Sequence, residues 1–289
     1  MDPMQAKGRS AGSGELHPAP LTFLMAGCQR CGSTWVDKAL RGHPEIFLPE
    51  RKQTYFFDEA YHKGIDWYLD HFTAARPEQK AVGEISTGYC LPHAAPRMAA
   101  HFPDVKLLMA VRNPVERAYS YYQSRSVHYG WPDFDTAVAA QPAILERGRY
   151  IEQIERLLEY YDRDRLLLLF YDDLKRDDQA YLRSILEFLG VDPDYRSPRL
   201  GQVVQTAAFP RVRRRMRQWG LEPVLDRVSA SPAGDWLRRR IKRAGGSRYR
   251  AMPVDLRARL VDYYAPYNER LAAFAGRDLS HWNIQGNTE

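Results

Sequence analysis

Cysteine is scarce in this chain, which contains Cys28, Cys31 and Cys90 among 289 residues. Three thiols cannot build the set of disulfides on which small secreted domains rely. Cys28-x-x-Cys31 alone also provides too few ligands for a structural zinc site, which needs about four. The cysteine content therefore indicates a reducing compartment, and we expect a cytoplasmic protein with buried thiols.

Long apolar runs are also absent. No segment approaches the roughly 20 consecutive apolar residues that a membrane-spanning helix needs. The first 20 residues are rich in Gly, Ser, Pro and Ala and lack the apolar core of a signal peptide. We expect residues 1–20 to form a disordered leader, and we expect no membrane association.

Apolar residues make up 44% of the chain, which is enough for the core of one large domain. We assign residues 21–289 to that single domain. The formal net charge is +6, and the isoelectric point is about 9.1. A modest basic excess suits an anionic ligand, a nucleic acid or a membrane surface, so the charge alone does not decide among them.

Strand-like and helix-like segments alternate along the chain. The apolar runs that predict strands are at 21–26, 81–85, 106–111 and 166–171. Helices are predicted at 33–40, from Pro114 onward, at 179–188 and at 254–274. This alternation predicts an α/β fold with a P-loop-like parallel sheet flanked by helices. Arginine-rich stretches between 196 and 250 predict a helical or loop-rich lid within the domain.

A glycine-rich connection joins the first predicted strand to the first predicted helix. Gly27 and Gly32 have the G-x-x-x-x-G spacing of a P-loop, in which the backbone turns tightly and helix N–H groups bind an anion. Ser33 stands where a nucleoside-triphosphate P-loop has its lysine, and the loop's own cation is Arg30. We predict a phosphate site that is not built for a triphosphate with Mg²⁺. An ordinary strand–turn–helix connection is the alternative interpretation.

A second anion site is predicted at the end of the 106–111 strand. Arg112 follows this strand, at the edge where open α/β sheets bind ligands. Ser120 lies about two turns into the helix that begins near Pro114, and could face the same ligand. Arg112 could instead pair with a core carboxylate. Two anion sites on neighbouring strand ends indicate a nucleotide with phosphates at both ends.

These motifs resemble the superfamily of sulfotransferases that use 3′-phosphoadenosine-5′-phosphosulfate (PAPS), especially bacterial members related to the carbohydrate sulfotransferases. Gln29-Arg30-Cys31-Gly32-Ser33-Thr34-Trp35 resembles the family's 5′-phosphosulfate loop, usually P-K-x-G-T-T-x. Tyr171-Asp172-Asp173-Leu174 resembles its Y-E-D-L segment, and Arg277-Asp278-Leu279-Ser280-His281-Trp282 is similar to its ending. The resemblance runs from about Phe23 to Trp282.

The resemblance implies a role for each matching residue. Arg30 takes the place of the lysine that assists the departing phosphate, and Trp35 that of an adenine-stacking tryptophan. Arg112 and Ser120 correspond to the 3′-phosphate pair. The residues that the resemblance places on the donor are Gln29, Arg30, Cys31, Gly32, Ser33, Thr34, Trp35, Arg112, Ser120, Tyr171, Arg248 and Arg250. PAPS is then the co-substrate, and no metal is expected.

The catalytic base is where this sequence departs from the family. Lys52-Gln53-Thr54-Tyr55-Phe56-Phe57-Asp58 is similar to a K-E-x-x-F-F segment whose glutamate is the base in the glycan branch. Gln53 cannot take a proton. Asp58 and Glu84 are the remaining carboxylate candidates, and His128 is a further one. Lys52 is expected to support the transferring group or the bridging oxygen.

We therefore predict a sulfotransferase that moves a sulfuryl group from PAPS to a hydroxyl of a small-molecule or glycan acceptor. Two alternatives remain open at this point, a P-loop kinase acting on a small molecule and a non-catalytic protein that binds polyanions. Nucleic acid is not expected as a partner, because the arginine runs lack the interleaved aromatics of single-strand binders. The acceptor and the oligomeric state are not determined by the sequence.

Overall fold

The computed structural model describes residues 21–201 and 251–285. Within these ranges five parallel strands form one sheet. The strands are β1 (Phe23–Gly27), β2 (Ile46–Phe47), β3 (Ala81–Ile85), β4 (Lys106–Val111) and β5 (Leu166–Phe170). Their order across the sheet is β2-β3-β1-β4-β5, and every neighbouring pair is parallel. The predicted α/β fold with a parallel sheet is confirmed.

The helices cover this sheet. They are α1 (Ser33–Leu40), α2 (Ile65–Leu69), α3 (Ala94–His101), α4 (Pro114–Tyr129), α5 (Phe134–Ala140), α6 (Ala143–Glu146), α7 (Tyr150–Leu158), α8 (Tyr171–Arg176), α9 (Asp178–Leu189) and α10 (Val254–Ala275). Short 3-10 turns lie at Tyr61–Lys63, Asp70–Phe72, Arg163–Arg165 and Ser280–Asn283. None of the helices within the described residues is long and apolar enough to cross a bilayer.

The strand order places the carboxyl ends of β1 and β4 beside each other. After β1 the chain moves to one side of the sheet to form β2 and β3, and it then crosses to the other side to form β4. Such a reversal leaves a crevice at the strand ends where α/β proteins bind ligands. The register between β1 and β4 shifts between Met25 and Gly27, directly before the glycine-rich connection. Both predicted anion sites therefore begin at this crevice.

The core lies on both faces of the sheet. Every residue of β1 and β3 is buried, as expected for strands that helices cover on both sides. A second apolar cluster lies away from the sheet, where α4 and α5 pack against α10. In that cluster Arg257 of α10 forms an ion pair with Glu116 of α4. The start of α4, which carries part of the predicted site, is thus held by its packing with α5 and α10 and by this ion pair.

Several sequence predictions concern residues outside the described ranges. The leader at 1–20, Arg248, Arg250 and most of the predicted lid at 196–250 belong to this group. The described part of the lid, 196–201, contains no helix or strand. They therefore stay predictions.

Candidate functional site

The glycine-rich connection forms a tight loop at the end of β1. Gly32 has a φ of 96°, in the left-handed region that favours glycine, and it directly precedes α1. A Cβ at Gly32 would also lie 3.1 Å from Cδ2 of Tyr171. Arg30 has a φ of 70° and is one of two non-glycine residues with positive φ in the described ranges. The loop thereby ends at the N-terminus of α1, whose first N–H groups lack partners within the helix, as an anion site requires.

Lys52 lies beside the first turn of α1. Its Nζ donates to Ser33 Oγ at 3.3 Å and to Thr34 Oγ1 at 3.2 Å. Burial lowers the pKa of Lys52 and outweighs the opposing charge of Asp37. A partly desolvated cation at the N-terminus of a helix adds to the positive potential that the helix already provides. The structure therefore brings Lys52 to the predicted phosphate loop, as the sequence prediction of its role requires.

Arg30 reaches Ser120 across the crevice. Ser120 Oγ accepts from Arg30 Nε at 3.1 Å and from Nη2 at 2.9 Å. Because Arg30 belongs to the loop after β1 and Ser120 to α4 after β4, this contact joins the two predicted anion sites. The side chain of Arg30 thus lies closer to the second site than its place in the loop would suggest.

Arg112 and Tyr171 form the side of the crevice next to β5. The Arg112 guanidinium carbon lies 5.1 Å from the centre of the Tyr171 ring, which is close enough for a cation–π contact. Arg112 also lies 3.9 Å from Glu116 at its nearest charged atoms. The Tyr171 ring lies beside Gly32, with little room for a Cβ between them, and so adjoins the phosphate loop. The structure therefore places Arg112, Tyr171 and the loop on one continuous surface.

Three other predicted donor residues contribute less side-chain surface. Trp35 is 5% exposed and packs edge-on against Tyr181, with ring centres 5.7 Å apart. Little of its ring surface is exposed, and the adenine-stacking role that the resemblance implies stays a prediction. Cys31 is fully buried, and Gln29 is half-buried and offers its carbonyl to the Cys31 thiol. Cys31 can therefore contact a ligand in the crevice only through its backbone.

Glu84 is a buried carboxylate that binds the neighbouring 52–58 segment. It is 0% exposed, and its carboxylate accepts hydrogen bonds from the Thr54 amide at 2.5 Å, the Thr54 hydroxyl at 3.1 Å and two tyrosines. These are Tyr68 at 3.0 Å and Tyr89 at 2.8 Å. Burial raises the pKa of Glu84 even though the hydrogen bonds work to lower it. The carboxylate holds the 52–58 segment against β3 and has no open path to an acceptor, which weighs against its role as base.

Asp58 belongs to a carboxylate–histidine pair that the sequence did not reveal. Its Oδ1 lies 3.0 Å from His93 Nε2, and the imidazole is 44% exposed. Arg97 fixes this turn by donating to the carbonyls of Phe57 and Asp58, at 3.1 and 2.9 Å. Nearby, Thr87 donates to Oε1 of Gln53 at 3.3 Å. His93 was missed because 35 residues separate it from Asp58, and only the folded β3–α3 connection brings them together.

A clamp formed by residues Arg277–Trp282 holds the start of α8. Trp282 Nε1 donates to Asp172 at 2.7 Å, and Arg277 Nη2 donates to Asp173 at 2.9 Å. Burial works to raise the pKa of Asp172, but hydrogen bonds from Trp282 and His281 outweigh it and lower the pKa. Since Tyr171 is the first residue of α8, the clamp also fixes the wall beside the phosphate loop.

No group of His, Cys, Asp or Glu side chains suited to a metal ion occurs within residues 21–201 and 251–285.

Of the residues that the sequence singled out, the structure groups Arg30, Lys52, Ser33, Thr34, Arg112, Ser120 and Tyr171 around the crevice. The arrangement provides several cations and helix N–H groups at the ends of β1 and β4. It is suited to binding a ligand with more than one anionic group.

Comparisons with known proteins agree with this geometry. Residues 20–264 match a family described as the sulfotransferase domain. The chain is 28% identical over 280 residues to human bifunctional heparan sulfate N-deacetylase/N-sulfotransferase 2, covering 88% of this chain and 29% of that protein. It is 25% identical over 290 residues to mouse heparan sulfate glucosamine 3-O-sulfotransferase 3B1, covering 96% of this chain and 68% of that protein.

The fold is similar to that of a bacterial sulfotransferase of known structure. The crystal structure of a sulfotransferase from Alicyclobacillus acidocaldarius matches with a TM-score of 0.67 and 25% sequence identity. The match covers 92% of this chain and all of the other. The bifunctional curated relatives are much longer, and this chain spans 22–29% of their length.

Proposed function

The chain belongs to the sulfotransferase domain family, and from this premise we propose that it transfers a sulfuryl group from PAPS to an acceptor hydroxyl and releases adenosine 3′,5′-bisphosphate (PAP). The observation that carries the proposal is the Arg30–Ser120 contact across the crevice, with Lys52 on the first turn of α1. This contact joins the two predicted anion sites at neighbouring strand ends, and a donor with phosphates at both ends would need both sites.

The residues around the crevice fit the donor. The loop N–H groups, Lys52 and Arg30 would hold the 5′-phosphosulfate, where negative charge builds as the sulfuryl group departs. Arg112 and Ser120 would hold the 3′-phosphate, which takes no part in the chemistry and anchors the donor remotely. Tyr171 lies between the two regions and would contact the nucleoside. Fixed cations of this kind stabilise the leaving group without moving during the reaction.

The Asp58–His93 pair is our candidate for removing the acceptor proton. With Nε2–H donated to Asp58, Nδ1 of His93 carries the lone pair that takes the proton, and we assign the tautomer from this contact. The carboxylate orients the ring and stabilises the imidazolium that forms. The exposed imidazole is open to an acceptor, whereas Glu84 is enclosed. Gln53 would then bind the acceptor by hydrogen bonding and not by proton transfer.

For the acceptor we propose a hydroxyl of a glycan or of a small molecule. The named relatives act on heparan sulfate, which supports the glycan class. Release of PAP from PAPS, measured against a panel of oligosaccharides and phenolic compounds, separates the two classes. Failure to produce PAP with any acceptor, together with no binding of PAP itself, would contradict the proposed reaction.

Donor recognition is tested most directly by substituting Arg112. Arg112→Ala should weaken PAP binding by roughly 10- to 150-fold, because a charge-assisted hydrogen bond is worth about 1.5–3 kcal/mol. The same variant should weaken binding of 5′-AMP much less, since 5′-AMP lacks the 3′-phosphate. Both ligands are titrated into both proteins by calorimetry at one salt concentration.

Arg165→Ala is the matched control, because Arg165 is an exposed arginine whose partner is Asp104. It should leave both affinities unchanged. Equal losses of PAP and 5′-AMP affinity in Arg112→Ala would mean that Arg112 supports the crevice generally and does not contact the 3′-phosphate.

A further inference from the structure

Arg117 is a fully buried cation near the start of α4. It is 0% exposed, and it donates through Nη2 to the carbonyl of Ile144. Its Nε and Nη1 are buried and have no hydrogen-bond partner. Within residues 21–201 and 251–285 it forms no ion pair. A buried charge that lacks a counter-charge costs stability, so its presence calls for a physical explanation.

The groups around Arg117 are neutral. They include the Cys31 thiol, Tyr150 and Tyr264, of which Cys31 and Tyr150 are 3.5 Å apart at their polar atoms. Burial raises the pKa of Cys31 to about 11 and that of Tyr264 to about 12, against the opposing influence of Arg117. At neutral pH none of them carries a negative charge. The positive charge is therefore not neutralised by its nearest neighbours.

The position of Arg117 relates it to the phosphate loop. Cys31 lies between Arg30 and Gly32 in the loop, and its side chain is turned into the core, where it is 0% exposed. The buried Arg117 is close enough to this thiol for its charge to work toward a lower Cys31 pKa, so it acts on the loop from the core side. Between buried groups the field of a charge is screened far less than in water or salt solution. An anion bound at the loop would experience this field without touching Arg117.

We propose that Arg117 is a positioning residue of the donor site, whose buried positive charge acts through the phosphate loop and is compensated by the 5′-phosphosulfate of the bound donor. This inference rests on the proposed function and adds a component behind the loop to the residues in the crevice. Arg117 acts by charge alone, so its effect should follow the charge of the ligand at the loop.

The experiment removes the charge and varies the charge of the ligand. Arg117→Gln keeps a donor for the Ile144 carbonyl but is neutral, and Arg117→Lys keeps the charge. PAP, 5′-AMP and adenosine are titrated into each protein by calorimetry. Arg117→Gln should lose about 10-fold in affinity for PAP and 5′-AMP and less than about 2-fold for adenosine, as expected for a charge interaction in a medium of intermediate dielectric. Arg117→Lys should retain most of the affinity.

The matched control is Arg125→Gln, which replaces an exposed arginine on the same helix. This variant should bind all three ligands normally. Circular dichroism establishes that each variant is folded, and Arg117→Met is a second neutral variant. Equal losses for adenosine and PAP, or unchanged binding of PAP, would overturn the inference while the proposed function stands. Unfolding of both neutral variants with Arg117→Lys intact would also overturn it, because the charge would then serve folding. A wild-type protein that binds no PAP would instead refute the proposed function.

Discussion

Asp58 and Glu84, the two carboxylates predicted as candidate bases, differ in what surrounds them. Glu84 is enclosed by hydroxyls and a backbone amide, so its oxygens are fully used in holding the 52–58 segment. Asp58 is 14% exposed at its side chain and contacts an imidazole that faces solvent. A carboxylate that orients a histidine is a common arrangement in proton transfer, whereas a buried acceptor of four hydrogen bonds is a structural one.

Substitution of this pair tests which group takes the acceptor proton. His93→Gln should lower kcat by about 100-fold or more, because general-base catalysis typically contributes 10²–10⁴-fold. Asp58→Asn should lower kcat by a smaller factor, since it removes the orienting carboxylate but keeps the imidazole. Neither change should alter PAP affinity, because in the described part of the chain Asp58 and His93 form no hydrogen bond or ion pair with the crevice residues. Steady-state kinetics with saturating PAPS, combined with calorimetry for PAP, provides both measurements.

Asp135→Asn serves as the control, since Asp135 is exposed and pairs with Arg259. It should leave kcat unchanged. If His93→Gln and Asp58→Asn both kept nearly normal kcat, the proton would leave by another route, such as the acceptor's own groups.

Residue types were easier to predict from the sequence than the contacts between residues. Lys52 and Ser33 were both expected at the donor, and the structure places them 3.3 Å apart. Arg30 is expected at the departing phosphate, and the loop sequence alone gave no sign of the hydrogen bond that its side chain forms with Ser120 across the crevice. Arg117 gave no signal, because an arginine in a helix usually faces solvent and only packing shows that this one does not.

The phosphate loop is an element whose shape depends on one glycine. Gly32→Ala should lower the free energy of unfolding by about 1–2 kcal/mol from the left-handed backbone alone. The new methyl would also meet Tyr171 at 3.1 Å and Leu174 at 3.2 Å, so the wall of the crevice must move. We expect PAP affinity to fall as well. Urea unfolding and PAP calorimetry measure the two effects separately.

Gly130 provides a control for this substitution. It ends α4 with a φ of 73°, and a Cβ there would meet nothing within 4 Å. Gly130→Ala should therefore show a similar loss of stability without a loss of PAP affinity. Comparable PAP affinities in the two variants would mean that the contact of Gly32 with Tyr171 does not shape the donor site.

Secondary structure was predicted well where apolar runs were long. The predicted strand at 106–111 and the helix at 33–40 have the same bounds in the structure. The strand β2 was missed because it has only two residues, and the short helices α5 and α6 gave no clear periodicity. The 166–171 run was one residue too long, because Tyr171 begins α8. The local pattern of apolar residues thus predicted the longer strands of the sheet, whereas the short elements depend on tertiary contacts.

At the scale of the whole molecule, the choice of donor distinguishes a sulfotransferase from a P-loop kinase. The position of the triphosphate-binding lysine is occupied by Ser33, and Ser33 accepts a hydrogen bond from Lys52 of another segment. We predict that PAPS is turned over at an undiminished rate in excess chelator, and that ATP is not consumed. The measurement is PAP and ADP formation with and without EDTA. ATP consumption that requires Mg²⁺ would favour a kinase.

The clamp at Arg277–Trp282 determines how late during synthesis the wall of the crevice can form. The phosphate loop is among the first parts of the folded region to leave the ribosome, but the wall that faces it depends on side chains synthesised about 250 residues later. Chains are synthesised at about 5–20 residues per second, so this interval lasts on the order of tens of seconds. During that time the nascent chain holds a loop shaped for phosphate whose neighbouring helix is not yet fixed. If the chain binds the proposed nucleotide, we expect that binding only once the chain has been translated through Trp282.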